Sequence, residues 1–113
     1  MRVLVAEDEE FVAEILQEEL TFFGAHVLGP VLTMKAALAL VESEPDIDAA
    51  ILDVNLSGEM VFELAERLAA RSVPFIFTSG YQHHTLPEKY KSVKSFVKPY
   101  SVEDVVQALK SLQ

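Results

Sequence analysis

The chain contains no cysteine. A disulfide-stapled secreted scaffold and a thiolate metal site are therefore both excluded. Basic residues are scarce as well, with nine Lys and Arg against eighteen Asp and Glu, for a net charge of −9. That balance argues against nucleic acid or an anionic membrane surface as a direct partner. Long apolar runs are missing too. The N-terminal stretch Val3-Leu4-Val5-Ala6 meets Glu7-Asp8-Glu9-Glu10 at once, too early for a signal peptide or a membrane span. A cytoplasmic protein is the expectation. Linkers, internal repeats and low-complexity segments are absent. What remains is 113 residues, half of them hydrophobic, which is the size and balance of a single globular domain spanning residues 1–113.

Along the chain, apolar runs of strand length alternate with segments of helical period. Arg2 to Ala6 reads as a buried strand. Phe11, Val12, Ile15, Leu16, Leu20 and Phe23 then share one helical face, and Gly24 stops the helix. His26 to Val31 is a weaker strand whose Gly29 and Pro30 place it at a sheet edge. Thr33 is positioned to cap a second helix with Ala37, Leu38 and Val41 inward, and Pro45 stops it. A third strand covers roughly Asp48 to Val54, followed by a loop through Ser57 and Gly58 and a helix with Met60, Leu64 and Leu68 inward. Pro74 to Ser79 forms a fourth strand ended by Gly80. Residues 81–93 lack a period and read as a loop with one short helix. Ser95 to Val97 is a fifth strand. Ser101 precedes a last helix that buries Val102, Val105, Val106, Leu109 and Leu112. Strand–helix alternation throughout implies a parallel sheet covered on both faces by right-handed crossovers.

All strands of a parallel sheet end on one rim, where ligands bind. Glu7-Asp8, Asp53 with Asn55, Ser79-Gly80 and Lys98-Pro99 stand at four of those ends. Converging carboxylates repel one another, and a divalent cation with hard oxygen ligands, Mg²⁺, relieves that repulsion. One metal, one Lys and one hydroxyl make an anion site suited to phosphoryl transfer, which asks mainly for positioning and charge stabilisation. Asp53 is placed to serve as nucleophile and carry the phosphoryl group as an aspartyl phosphate.

The set Glu7-Asp8, Asp53, Ser79 and Lys98-Pro99 closely resembles the receiver domain of two-component response regulators, over the whole chain. The resemblance implies a flavodoxin-like (βα)5 fold of strand order 2-1-3-4-5. It implies that Asp53 accepts phosphate from a phosphohistidine on a sensor histidine kinase or phosphotransfer protein. Asp8 would bind Mg²⁺ directly and Glu7 mainly through water, while Asn55 would offer its backbone carbonyl. Lys98 would pair with the phosphoryl group and Ser79 would hydrogen-bond it. Ser79 is favoured over Thr78 because the small residue expected next is then Gly80. The resemblance further implies a phosphoprotein that signals through protein contacts as a monomer or weak dimer, and not a turnover enzyme.

Two departures stand out. Where such receivers carry an aromatic switch residue, three positions before the Lys, this chain has Ser95, and Phe96 points to the opposite face. In addition, Pro74-Phe75-Ile76-Phe77-Thr78-Ser79-Gly80-Tyr81 resembles the Phe-Ala-Thr-Gly-Tyr motif of an atypical, often free-standing subclass. Tyr81 and the loop after it are then expected to take over switching.

Plainer readings stand beside these. Glu9 and Glu10 suit the positive end of a helix dipole. His83-His84 reads as surface loop, because adjacent side chains diverge and no third ligand is evident. Three other functions compete. A receiver-like scaffold that is never phosphorylated would not need Asp8, Asp53 and Lys98. An aspartyl-nucleophile phosphatase needs an acid where Asn55 stands. A flavin carrier of the same fold would need a Ser/Thr/Gly-rich phosphate loop after the first strand.

Overall fold

The computed structural model describes residues 1–80 and 86–113. Strand β1 (Arg2–Ala6) leads into helix α1 (Glu10–Phe22), then β2 (His26–Val31) into α2 (Met34–Ser43). Strand β3 (Ala49–Asp53) is followed by a small hairpin, β4 (Asn55–Leu56) and β5 (Glu59–Met60), and by α3 (Phe62–Ala70). Strands β6 (Phe75–Ser79) and β7 (Ser95–Val97) precede the last helix, α4 (Val102–Ser111). Between β6 and β7 the described chain carries one 3₁₀ turn, Glu88–Tyr90, and no α-helix.

The five long strands form one parallel sheet in the order β2-β1-β3-β6-β7. This is the doubly wound order expected from the sequence, with β2 at an edge as Gly29 and Pro30 required. Side-chain alternation divides the core in two. Leu4, Ala50, Leu52 and Phe77 pack with α2 and α3, whereas Val3, Val5, Ala49, Ile51 and Ile76 pack with α1 and α4. Every residue of β3 is buried, as a central parallel strand demands.

Local chemistry sets the helix ends. The Thr33 hydroxyl accepts from the Ala36 N–H at 3.2 Å, so the expected cap on α2 is formed. Gly24, at φ +92°, closes α1: its N–H reaches the Thr21 carbonyl and the Ala25 N–H the Leu20 carbonyl. Ser101 makes no cap bond with its side chain.

The amino edge of the sheet is tied by side chains to backbone carbonyls. The Arg71 guanidinium donates to the carbonyls of Val41 at 2.6 Å, Glu44 at 2.7 Å and Pro45 at 3.0 Å. Arg2 reaches the Asp46 carbonyl and the Glu44 carboxylate, and Gln113 the Asp48 carbonyl.

Several sequence expectations are corrected. Residues Ser57 and Gly58 both take positive φ, 53° and 87°, so the loop between the third strand and its helix is a tight hairpin turn. The hairpin removes Met60 from the helix and leaves it exposed; Leu64, Ala65 and Leu68 form the inner face of α3. On α1 the buried positions are Ala13, Leu16 and Leu20, while Phe11 and Ile15 are exposed although they share the helical period. Leu112 is likewise exposed, just past the end of α4. Tyr81 and His83-His84, given roles from the sequence, lie outside the described residues.

Gly29 sits where β2 shifts register against β1, at φ +98°. A Cβ there would lie 2.7 Å from the Val31 nitrogen and 3.0 Å from the Val5 carbonyl oxygen. Around Gly24 a Cβ would meet nothing within 4 Å. Gly29→Ala is therefore expected to cost at least about 2 kcal/mol in urea unfolding, against about 1 kcal/mol for Gly24→Ala, which carries only backbone strain.

Candidate functional site

Four strand ends meet at the carboxyl rim. Beyond β1 stands Glu7, 1% exposed, then Asp8; β3 ends on Asp53; β6 ends on Ser79; Lys98 follows β7. Backbone bonds lock these ends together. The Glu7 N–H donates to the Val31 carbonyl, Val54 N–H to Thr78, and Lys98 N–H to Ser79 at 2.8 Å. The Lys98-Pro99 peptide is cis.

Carboxylate oxygens of Glu7, Asp8 and Asp53 lie within 4.8 Å of one another. Into this group Lys98 extends its ammonium, 2.8 Å from Glu7 Oε1 and 3.0 Å from Asp53 Oδ2. The structure thus brings Glu7, Asp8, Asp53 and Lys98 together at one rim. Asp53 is further held by the Asn55 N–H, which donates to Oδ1 at 3.2 Å. The hairpin reaches back as well: Ser57 N–H donates to Asp8 Oδ2 at 2.9 Å, and the Ser57 hydroxyl to the Leu32 carbonyl at 2.7 Å.

Asn55 and Ser79 are placed differently from the acids. The Asn55 side chain accepts from the Gly58 N–H and belongs to the hairpin turn. Ser79 stands half-buried at the rim, and its bond into the site runs through its backbone carbonyl. Thr78, fully buried, is in register with Asp53. Ser95 pairs with Phe77 and is exposed, while Phe96 pairs with Thr78 and packs on Tyr100 on the α1/α4 side. The alternation inferred from the sequence is observed.

One participant was missed. The sequence places Glu9 at the helix dipole, yet at the N-cap of α1 its side chain makes no cap bond. Its carboxylate instead lies 3.2 Å from Lys98 Nζ, and its N–H donates to Glu7 Oε2. The only sequence signal was an acid run longer than a helix start needs.

Electrostatics follow from burial. Desolvation pushes the Glu7 carboxyl up to about 7, against the lowering effect of Lys98 and the Glu9 N–H. Burial also raises Asp53, again opposed by Lys98. For Lys98, burial favours the neutral amine, but the bonds to Glu7 and Asp53 outweigh it and hold the group above its ordinary value. Burial raises Tyr100 too, with the Glu7 charge adding to it; its hydroxyl has no partner among the described residues.

A hard divalent cation fits this donor set. Glu7 Oε1 is buried and, although 2.8 Å from the ammonium, has no donor in hydrogen-bonding alignment. Three acids with one Lys leave the cluster net negative, and carboxylate oxygens suit Mg²⁺.

An acid whose carboxyl is raised on folding stabilises the fold while protonated. The Glu7 contribution is therefore fully present below its ordinary value of 4.5 and lost as pH climbs through about 7. In EDTA, the free energy of urea unfolding is expected to fall between pH 5 and pH 8 by on the order of 1–3 kcal/mol. Glu7→Gln should flatten that slope; an unchanged slope would refute the assignment.

The family model described as "Response regulator receiver domain" matches residues 3–110. Transcriptional regulatory protein PdtaR of Mycobacterium tuberculosis is 27% identical over 96% of this chain and 54% of its own length. The chain thus spans about half the length of the curated relatives it matches. The solution structure of SdrG from Sphingomonas melonis Fr1 is 38% identical, with a TM-score of 0.87 over 99% of this chain and 95% of that one. The BeF3-activated conformation of SdrG from Pseudomonas melonis Fr1 is 36% identical, with a TM-score of 0.78 over 98% and 94%. With a family model spanning nearly all of β1 to α4 and relatives of this similarity, the chain belongs to the response regulator receiver domain family.

Proposed function

We propose that this receiver accepts a phosphoryl group on Asp53 from a phosphohistidine and signals the change through protein contacts. The observation that carries the reading is the seat of Asp53: buried, 3.0 Å from the Lys98 ammonium and within 4.8 Å of two further carboxylates. In the transfer, an Asp53 oxygen attacks phosphorus as the P–N bond to the donor imidazole breaks. The electron pair leaves on that nitrogen, which takes up a proton. Asp53 is held on Oδ1 by the Asn55 N–H and on Oδ2 by Lys98, so its direction is fixed before a donor arrives.

Asp8 and Asp53 would hold Mg²⁺ directly, Glu7 mainly through water, and Asn55 through its backbone carbonyl. When bound, the ion supplies positive charge against the transferred oxygens. Lys98 would move from the carboxylates onto a phosphoryl oxygen, and the Ser79 hydroxyl would donate to another. Donors of this chemistry are sensor histidine kinases and phosphotransfer proteins. The acidic surface suits neither nucleic acid nor an anionic membrane, and among the described residues no helix is long and apolar enough to cross a membrane. The module relays phosphate instead of turning over a substrate, in the cytoplasm, as a monomer or weak dimer. Phe77-Thr78-Ser79-Gly80-Tyr81 supports a place in the Phe-Ala-Thr-Gly-Tyr subclass, with Ser79 as the responding hydroxyl.

With Mg²⁺ and beryllofluoride, wild-type amide resonances around residues 53–58 and 79–80 should shift, and Asp53→Asn should abolish the change. Ser79→Ala should weaken beryllofluoride about tenfold, as loss of a hydrogen bond to a charged group does, whereas Thr78→Val should not. Equal effects at 78 and 79 would reassign the hydroxyl. Steady hydrolysis of a phosphoester with many turnovers would replace the receiver reading by a phosphatase.

A further inference from the structure

We propose that Glu9 acts as a brake on the phosphoryl site by holding part of the Lys98 charge in the resting state. The inference rests on the reading of Asp53 as phosphoacceptor and adds a positioning residue to it. Lys98 is the only cation within reach of Glu7, Glu9 and Asp53 among the described residues, at 2.8, 3.2 and 3.0 Å. Three carboxylates thus share one ammonium.

The three partners are unequal. Glu7 and Asp53 side chains are 1% and 7% exposed, whereas the Glu9 side chain is 62% exposed and Lys98 is 14% exposed. Glu7 and Asp53 are fixed by the sheet. Glu9 stands at the first turn of α1 and lines the groove that also holds Gly80, Pro99 and Tyr100. It is the one solvent-exposed partner among the three carboxylates on Lys98.

Two effects then act in the same direction. Lys98 must leave the carboxylates to meet a phosphoryl oxygen, and Glu9 opposes that departure. Its own negative charge, beside the same ammonium, also repels an incoming anion. Because Glu9 makes no cap bond to α1, removing its charge leaves the helix terminus with the hydrogen bonds it already has. Exposed ion pairs are worth little individually, which sets the scale of the brake at about two- to fivefold in phosphoryl-analogue affinity.

Beryllofluoride binding in saturating Mg²⁺ tests this, read by amide shifts on wild type, Glu9→Gln, Glu9→Asp and Glu10→Gln. Glu10 is exposed, one residue away, and carries the same charge without touching Lys98. Glu9→Gln should bind about two- to fivefold tighter, Glu9→Asp close to wild type, and Glu10→Gln unchanged. The advantage of Glu9→Gln should shrink as salt rises. Equal tightening in Glu9→Gln and Glu10→Gln would overturn the proposal in favour of general charge, and no tightening in Glu9→Gln would overturn it outright. If wild type itself fails to bind beryllofluoride, the phosphoacceptor reading falls and the brake with it, an outcome distinct from a wild type that binds and a Glu9→Gln that does not differ.

Discussion

The Lys98 ammonium between Glu7, Glu9 and Asp53 is the interaction on which the rest of the arrangement depends. Glu7 and Asp53 are buried like charges at neighbouring strand ends, and one cation offsets their repulsion. It does so from a residue far along the chain from its partners. A parallel sheet in which β3 lies between β1 and β6, with β7 beyond β6, brings residues 7, 53 and 98 to one rim. The order of strands makes the cluster, and the cluster adds side-chain ties to the backbone bonds that already join the strand ends.

Much of this was legible because it follows from periods and ends. Continuous apolar runs in a chain that alternates strand with helix gave the parallel sheet. The carboxyl-end rule then gathered Glu7, Asp8, Asp53 and Lys98 without any knowledge of distances. Alternation along β7 correctly set Ser95 and Phe96 on opposite faces.

What stayed hidden depended on two-residue turns and on which neighbour covers a face. Met60 has helical spacing to Leu64 and Leu68, but Ser57 and Gly58 in left-handed conformations fold that segment into a hairpin first. Phe11 and Ile15 match the period of Leu16 and Leu20, yet α1 is covered along only part of that stripe, and period alone does not report how wide the cover is. Glu9 was assigned by position along a helix, whereas its partner comes from the opposite end of the chain. The packing of Tyr90 against Phe62, Phe75 and Phe77 was equally invisible, since the residues before it carry no period.

The two ends of the sheet are tied by different chemistry. Pro45 has no N–H to offer, and Arg71 supplies three donors to the carbonyls around the end of α2 that a continuing backbone would otherwise have served. Arg2 and Gln113 fasten the same end. A planar guanidinium engaged by three carbonyls has little freedom to rearrange. The opposite edge is held instead by an ammonium, whose donors rotate and whose partners are exchangeable. One pole is thus tied by a rigid fork to fixed backbone carbonyls, and the other by an ammonium whose carboxylate partners can be exchanged for another anion.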